Sequence, residues 1–198
     1  RGNVIAPDDL VQRYGADTVR SYLMFFARWE VGGPWNSSGI EGNSRWLKRV
    51  WATLLEPTEG VATPEVLRTL RRKTHQTLRA VTYDFENFEF NTIISSLMEL
   101  LNEMSRAKSG GAFGTPEWNE AVDIYLRMLA PVCPHIAEEL WERLGKPYSI
   151  HTQAWPEVDE EAARDEEITL VVQVNGKLRD RIQVPVGISD AEAEQKAL

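Results

Sequence analysis

The chain has 198 residues, 42% of them hydrophobic, enough for one domain and a fraction of another. Its single cysteine, Cys133, excludes a disulfide framework and a cysteine-based zinc knuckle and fits a reducing compartment, while neither a 20-residue apolar run nor a leader pattern argues for a membrane span or secretion. Lys and Arg total 22 against 30 Asp and Glu, and the net charge of −8, taken globally, argues against a nucleic-acid binder.

In chain order, Pro7 with Asp8 and Asp9 opens a short helix that Gly15 stops. A second helix runs from Ala16 to about Ala27, with Val19, Tyr22, Leu23 and Phe26 at helical spacing. The Gly- and Pro-bearing stretch 31–39 is a loop carrying Trp35. A third helix, about Gly39 to Leu55, turns Leu47, Val50, Trp51, Leu54 and Leu55 inward. Thr63-Pro64 is a cap and first-turn pair opening a long helix to about Asp84, whose inner stripe is Leu67, Leu70, Thr74, Leu78, Val81 and Phe85. Asn91 to Lys108 is a further helix, and Ser109 to Gly114 reads as a flexible connector. Thr115-Pro116 starts a helix reaching Leu129, Pro131 and Pro134 bracket a break, and Ile136–Leu144 closes the set at Gly145. The fold class is therefore mainly α, an antiparallel α-helical bundle.

Glu157–Glu167 holds seven acids and one Arg and reads as a solvated linker. Beyond it the period changes to two. Ile168, Leu170, Val172 and Val174 alternate, Asn175-Gly176 supplies a type I′ turn, and Leu178, Ile182 and Val184 return, a β-hairpin. Ser189 with Glu192 forms a capping box for a last helix. This end reads as a small, truncated α+β piece, and Arg1-Gly2-Asn3 without Met as another cut edge.

The charge is uneven. Residues 1–89 hold 12 basic and 11 acidic side chains, whereas 90–198 hold 10 and 19. Arg45 to Arg79 contains eight basic residues against Glu56, Glu59 and Glu65. At about 100° per residue, Arg68, Arg72, His75 and Arg79 cluster roughly 110° from the apolar stripe of their helix. On the preceding helix, Arg45, Lys48 and Arg49 lie opposite Leu47, Val50, Trp51 and Leu54. Two cationic ridges suit an RNA backbone, where phosphate contacts dominate affinity. The candidate RNA contacts are Arg45, Arg49, Arg68, Arg72, His75 and Arg79, with Arg71 and Lys73 ranked lower. In the hairpin Lys177, Arg179 and Arg181 share one face, a second RNA contact or a charged edge that deters strand pairing.

No free-standing active site is legible, so no catalytic residue and no metal ligand is assigned. His135, Glu138 and Glu139 lack the second histidine a zinc hydrolase needs, and suit a helix first turn. Gly110, Gly111 and Gly114 have no strand before them and no Gly-Lys-Ser/Thr after. His75, His135 and His151 fall on separate elements.

Several segments carry a resemblance. Arg1-Gly-Asn-Val-Ile-Ala-Pro-Asp-Asp-Leu10 followed by Arg13-Tyr-Gly-Ala-Asp-Thr-Val-Arg20 resembles the stretch after the Lys-Met-Ser-Lys-Ser loop of class I aminoacyl-tRNA synthetases. Glu41 to Trp51, Arg72 to Thr77, Phe90 to Ile94, Cys133 to Trp141 and Val172 to Arg179 are similar to the leucyl branch, of bacterial type. The resemblance implies an exit from the catalytic domain over 1–35, an anticodon-binding bundle over 36–150, an acidic linker over 151–167, and over 168–198 the start of a domain reaching the tRNA elbow. It implies a parent ligase that joins leucine to its tRNA with ATP and magnesium in the cytoplasm. This chain would lack the catalytic and editing sites and need no cofactor of its own. Its partners would be leucine tRNA, held by backbone and shape, and the missing domains, for which Leu10, Leu23, Phe25 and Trp29 offer apolar surface. An RNA-binding module and a scaffold that positions other domains both remain open.

Overall fold

A computed structural model describes residues 6–28, 31–33, 36, 39–164, 167–174, 177–185, 189, 192 and 195, of which 167–185 are described by their backbone. It falls into two units, 1–163 and 164–198.

The first unit is helical: α1 (Pro7–Tyr14), α2 (Ala16–Phe25), α3 (Gly39–Leu55), α4 (Pro64–Glu86), α5 (Phe90–Ser109), α6 (Pro116–Leu129) and α7 (Pro134–Arg143), then a 3-10 turn at Ile150–Thr152. The expected starts of α4 and α6 are set by local chemistry. The Thr63 hydroxyl accepts from Val66 N–H and that of Thr115 from Trp118 N–H, each ahead of a first-turn proline that has no N–H to satisfy. The α3 end is closed from a distance: Lys108 Nζ, on α5, donates to the carbonyls of Ala52 and Thr53.

α4 packs on α5 and α6, and α5 also carries α2 and α3. Their shared core is fully buried at Val50, Leu70, Leu78, Leu97, Leu101, Tyr125 and Leu129, and Trp141 joins it from α7. Burying such side chains at about 25 cal/mol per Å2 of apolar surface is the main force holding the bundle. A smaller cluster of Val19, Tyr22 and Ile40, with Leu10, Tyr14 and Phe26, joins α1 and α2 to the start of α3. Gly39 lies so close to the Tyr22 ring that a Cβ there would stand 2.7 Å from it.

Leu23, expected among the apolar residues at the surface, is 43% exposed. It sits one step of about 100° past Tyr22, off the face that α2 turns to α3 and α5. Two expectations need correction. Ser109–Gly114 is no flexible connector: Ala112 is fully buried, Phe113 packs on Trp118 at 5.6 Å, and Gly111 takes φ +89° under the backbone of Gly60 and Val61. The acidic run also fails to be a solvated linker through Ala163. Val158 packs on the main core, Ala163 is buried, and the Ala163 carbonyl accepts from Gln76 Nε2.

The second unit has β1 (Glu167–Val174) and β2 (Lys177–Pro185), paired antiparallel from Glu167↔Pro185 to Val174↔Lys177. A register shift between Val172 and Gln173 falls opposite position 179. The expected turn at 175–176 and the side chains of Lys177, Arg179 and Arg181 lie outside the described residues. Ser189 and Glu192 exchange the two bonds of a capping box, Ser189 N–H donating to Glu192 Oε2 and Glu192 N–H to Ser189 Oγ.

Candidate nucleic-acid interface

The two basic ridges differ in what surrounds them. On α3, Arg45, Lys48 and Arg49 are exposed. Their spacing of three and four residues makes them neighbours on one helical face. Arg49 donates to the neutral Asn102 Oδ1 at 2.6 Å, and none of the three has an acidic partner among the described residues. The positive charge of this face is uncompensated.

On α4 the charge is largely answered. Segment 153–163 lies along the helix and brings acids to it. Arg71 Nε donates to Glu120 Oε2 at 2.8 Å, and its Nη2 donates to Asp159 Oδ2 at 2.8 Å. Arg79 pairs with Glu160. His75 is 2% exposed: its Nε2 meets Glu120 Oε1 at 3.2 Å, and its Nδ1 accepts the Asp159 N–H at 3.1 Å. Both ring nitrogens are spent inside the fold, so His75 is no RNA contact. His75 lies beside the core stripe as its angle on the helix requires, but the acidic segment covers that side. Trp155 anchors the same segment, donating to Thr82 Oγ1 at 2.9 Å and standing edge-on to Phe85 at 5.4 Å. Arg68 is exposed and Arg72 half-buried.

The electrostatics of this network favour its charged form. Burial opposes ionisation at Glu120, yet hydrogen bonds from Arg71 and His75 outweigh it and hold the carboxyl below its ordinary value. Asp159 is lowered by the Ala162 N–H and then by Arg71. The hydrogen bond to Glu120 raises Arg71 further, so this cation never deprotonates. Arg71, ranked low from sequence, is thus the hub of the segment's attachment. The apolar residues Trp155, Val158 and Ala163 within the acidic run were the signal that it packs.

A second polar joint ties α2 to the break between α6 and α7. Asp17 Oδ2 accepts the Ile136 N–H at 2.7 Å and Oδ1 meets His135 Nδ1 at 2.8 Å, so its charge faces the positive end of α7. Arg20 donates to the carbonyls of Pro131 and Val132. The resembling block Arg13 to Arg20 therefore contributes a carboxylate to one side of the break and a guanidinium to the other. Glu138 meets Ser149 Oγ and the Ile150 N–H, and Glu139 pairs with Arg143. Among the described residues no group of three His, Cys, Asp or Glu side chains is placed to hold a metal ion. No described helix is long and apolar enough to cross a membrane. Trp29 and Trp35 lie outside the described residues.

Comparison with known proteins places this arrangement. The anticodon-binding domain of tRNA ligase matches residues 68–195. A leucine–tRNA ligase of Dehalococcoides mccartyi strain BAV1 is 51% identical over the whole chain, which spans 24% of that protein. One from Deinococcus radiodurans is 53% identical over 98% of the chain and is spanned to the same 24%. The chain thus spans about a quarter of the length of these relatives. A crystal structure described as the ternary complex of Agrobacterium radiobacter K84 agnB2 LeuRS-tRNA-LeuAMS superposes with a TM-score of 0.80 at 29% identity, covering 98% of this chain and 27% of that one. The helical bundle, the joint built from the Arg13–Arg20 block and similarity along the full length agree, and the chain belongs to the anticodon-binding domain family of tRNA ligases.

Proposed function

We propose that the chain is the tRNA-docking portion of a leucyl-tRNA synthetase and holds the RNA phosphate backbone on the exposed face of α3. The observation that carries this reading is the row Arg45, Lys48 and Arg49, three exposed cations with no acidic partner among the described residues. Phosphate neutralisation needs such charge, and the α4 cations already engaged by acids offer less of it. Arg45 and Arg49 rank first. Arg68 and Arg72 follow, then Arg79, whose bond to Glu160 must be exchanged for a phosphate. Lys177 and Arg179 remain candidates in the second unit. The described similarity to a synthetase–tRNA complex supports the same partner.

In this reading residues 1–35 lead out of a catalytic domain, 36–150 form the docking bundle, and 168–198 begin a small α+β domain with a β-hairpin. The whole cytoplasmic protein would ligate leucine to its tRNA using ATP and magnesium, with activation and editing residing in other domains. The exposed apolar side chains Val11, Leu23 and Phe25 on α1 and α2 favour a second role, as the surface on which those domains seat.

The test is a salt titration of the chain against leucine tRNA and an unrelated tRNA. Binding to both, with log K falling steeply as log salt rises, is the expected result and leaves leucine specificity to the other domains. No binding even at low salt would leave the scaffold role alone.

A further inference from the structure

A cleft of about 490 Å3 opens between the α1–α2 turn, α3 and α7, within the range of small-ligand sites. Leu47, Trp51 and Ile136 line it on the apolar side, and Lys48 and His135 on the polar side. Two acids also line it, Asp17 and Glu139, but both are committed. Asp17 holds the start of α7, and Glu139 accepts from Arg143 Nε at 2.7 Å. The Arg143 guanidinium in turn sits over the Trp51 ring at 4.9 Å, adding positive charge beside the cleft.

His135 is built to present one atom. Its ring is 74% exposed while Nδ1 is fixed on Asp17 at 2.8 Å, which orients the imidazole and leaves Nε2 to meet a ligand. Lys48 is exposed and has no ion pair among the described residues. It belongs to the same helical face as Arg45 and Arg49, so the cleft continues the cationic row of α3.

We propose that this cleft holds a ribose-phosphate unit of the RNA backbone, with Lys48 Nζ donating to the phosphate, His135 Nε2 accepting from a ribose hydroxyl because Nδ1–H is spent on Asp17, and the ribose packed against Trp51, Leu47 and Ile136. The proposal rests on the reading of α3 as an RNA-docking face. It adds His135, which neither ridge contains, on a helix that no charge pattern marks as basic.

The experiment is filter binding of leucine tRNA by the 198-residue chain and by its Lys48→Ala/His135→Asn variant, from about 50 to 200 mM salt. The asparagine amide can keep the bond to Asp17 while removing the atom at Nε2. The expected result is an approximately tenfold loss of affinity and a salt slope smaller by about 1, with an unchanged melting temperature. Lys48→Ala alone is run beside it, since the α3 face already predicts its loss, and the cleft assignment requires the double variant to bind more weakly than Lys48→Ala; if the double variant melts early, His135→Gln replaces His135→Asn. A wild type that binds tRNA and a variant that binds it equally well overturn the cleft assignment only. A wild type that does not bind overturns the docking function, and the cleft with it. AMP as competitor separates the two sources of phosphate: it is expected to displace tRNA poorly from both proteins. Displacement from the wild type alone would give the cleft to free nucleotides instead.

Discussion

Asp17 shows how much one side chain can govern in this fold. It is 8% exposed, caps α7 from another helix and orients His135 in the same stroke. Removing it leaves the α7 N-terminus short of an acceptor that carries full charge, which costs about 2 kcal/mol. Asp17→Ala is therefore expected to lower the melting temperature by roughly 4–8 °C in a unit of this size, measured by thermal circular dichroism. Asp17→Asn should lose part of that, since its amide oxygen can accept one of the two bonds. An unchanged melting temperature in Asp17→Ala would mean that water replaces the cap. Nothing in the local pattern announces this role: Asp17 reads as an ordinary first-turn acid of α2, and the helix it caps begins more than a hundred residues later. Cys133 was legible in the same negative sense. It is buried, its thiol is pushed up by burial, and it packs rather than reacts.

At the scale of elements, the helix starts were readable and the path of the acidic segment was not. Thr63-Pro64 and Thr115-Pro116 encode their caps within four residues, so α4 and α6 begin where the sequence places them. The stripe Leu70, Thr74, Leu78 and Val81 is buried as its period requires. The burial of His75 depends instead on Asp159, 84 residues away, which no periodicity reports. Charge alone points the wrong way, because a run of acids suits water as well as it suits the basic ridge of α4, which Asp159 and Glu160 in fact meet. The attachment of this segment has a pH signature. Glu120 and Asp159 are held below their ordinary carboxyl values, so their contribution is present above the unfolded pKa, near 4.5 for Glu120 and 3.8 for Asp159, and is lost as pH falls through the lowered folded values. Arg71→Ala removes the cation both share. It is expected to cost about 1 kcal/mol at neutral pH and to flatten the loss of stability on acidification, as read from urea unfolding at several pH values. Parallel acid profiles for the wild type and the variant would show that Arg71 does not hold the segment.

Over the whole chain, net charge misleads because compensation is local. The excess acids of the second half include Glu120, Asp159 and Glu160, which are spent on Arg71, His75 and Arg79, while the cations of α3 meet no acid among the described residues. A negatively charged chain can in this way present a positive face to RNA, with apolar side chains of α1 and α2 left for other partners. The most direct measurement compares two variants of the chain, Arg45→Ala/Arg49→Ala on α3 and Arg71→Ala on α4, in a salt titration of leucine tRNA binding. The α3 variant is predicted to lose affinity and about 2 units of slope magnitude, one for each phosphate contact removed, while Arg71→Ala keeps the wild-type slope. The opposite pattern, a wild-type slope without Arg45 and Arg49 and a reduced one without Arg71, would contradict the assignment of the docking face to α3.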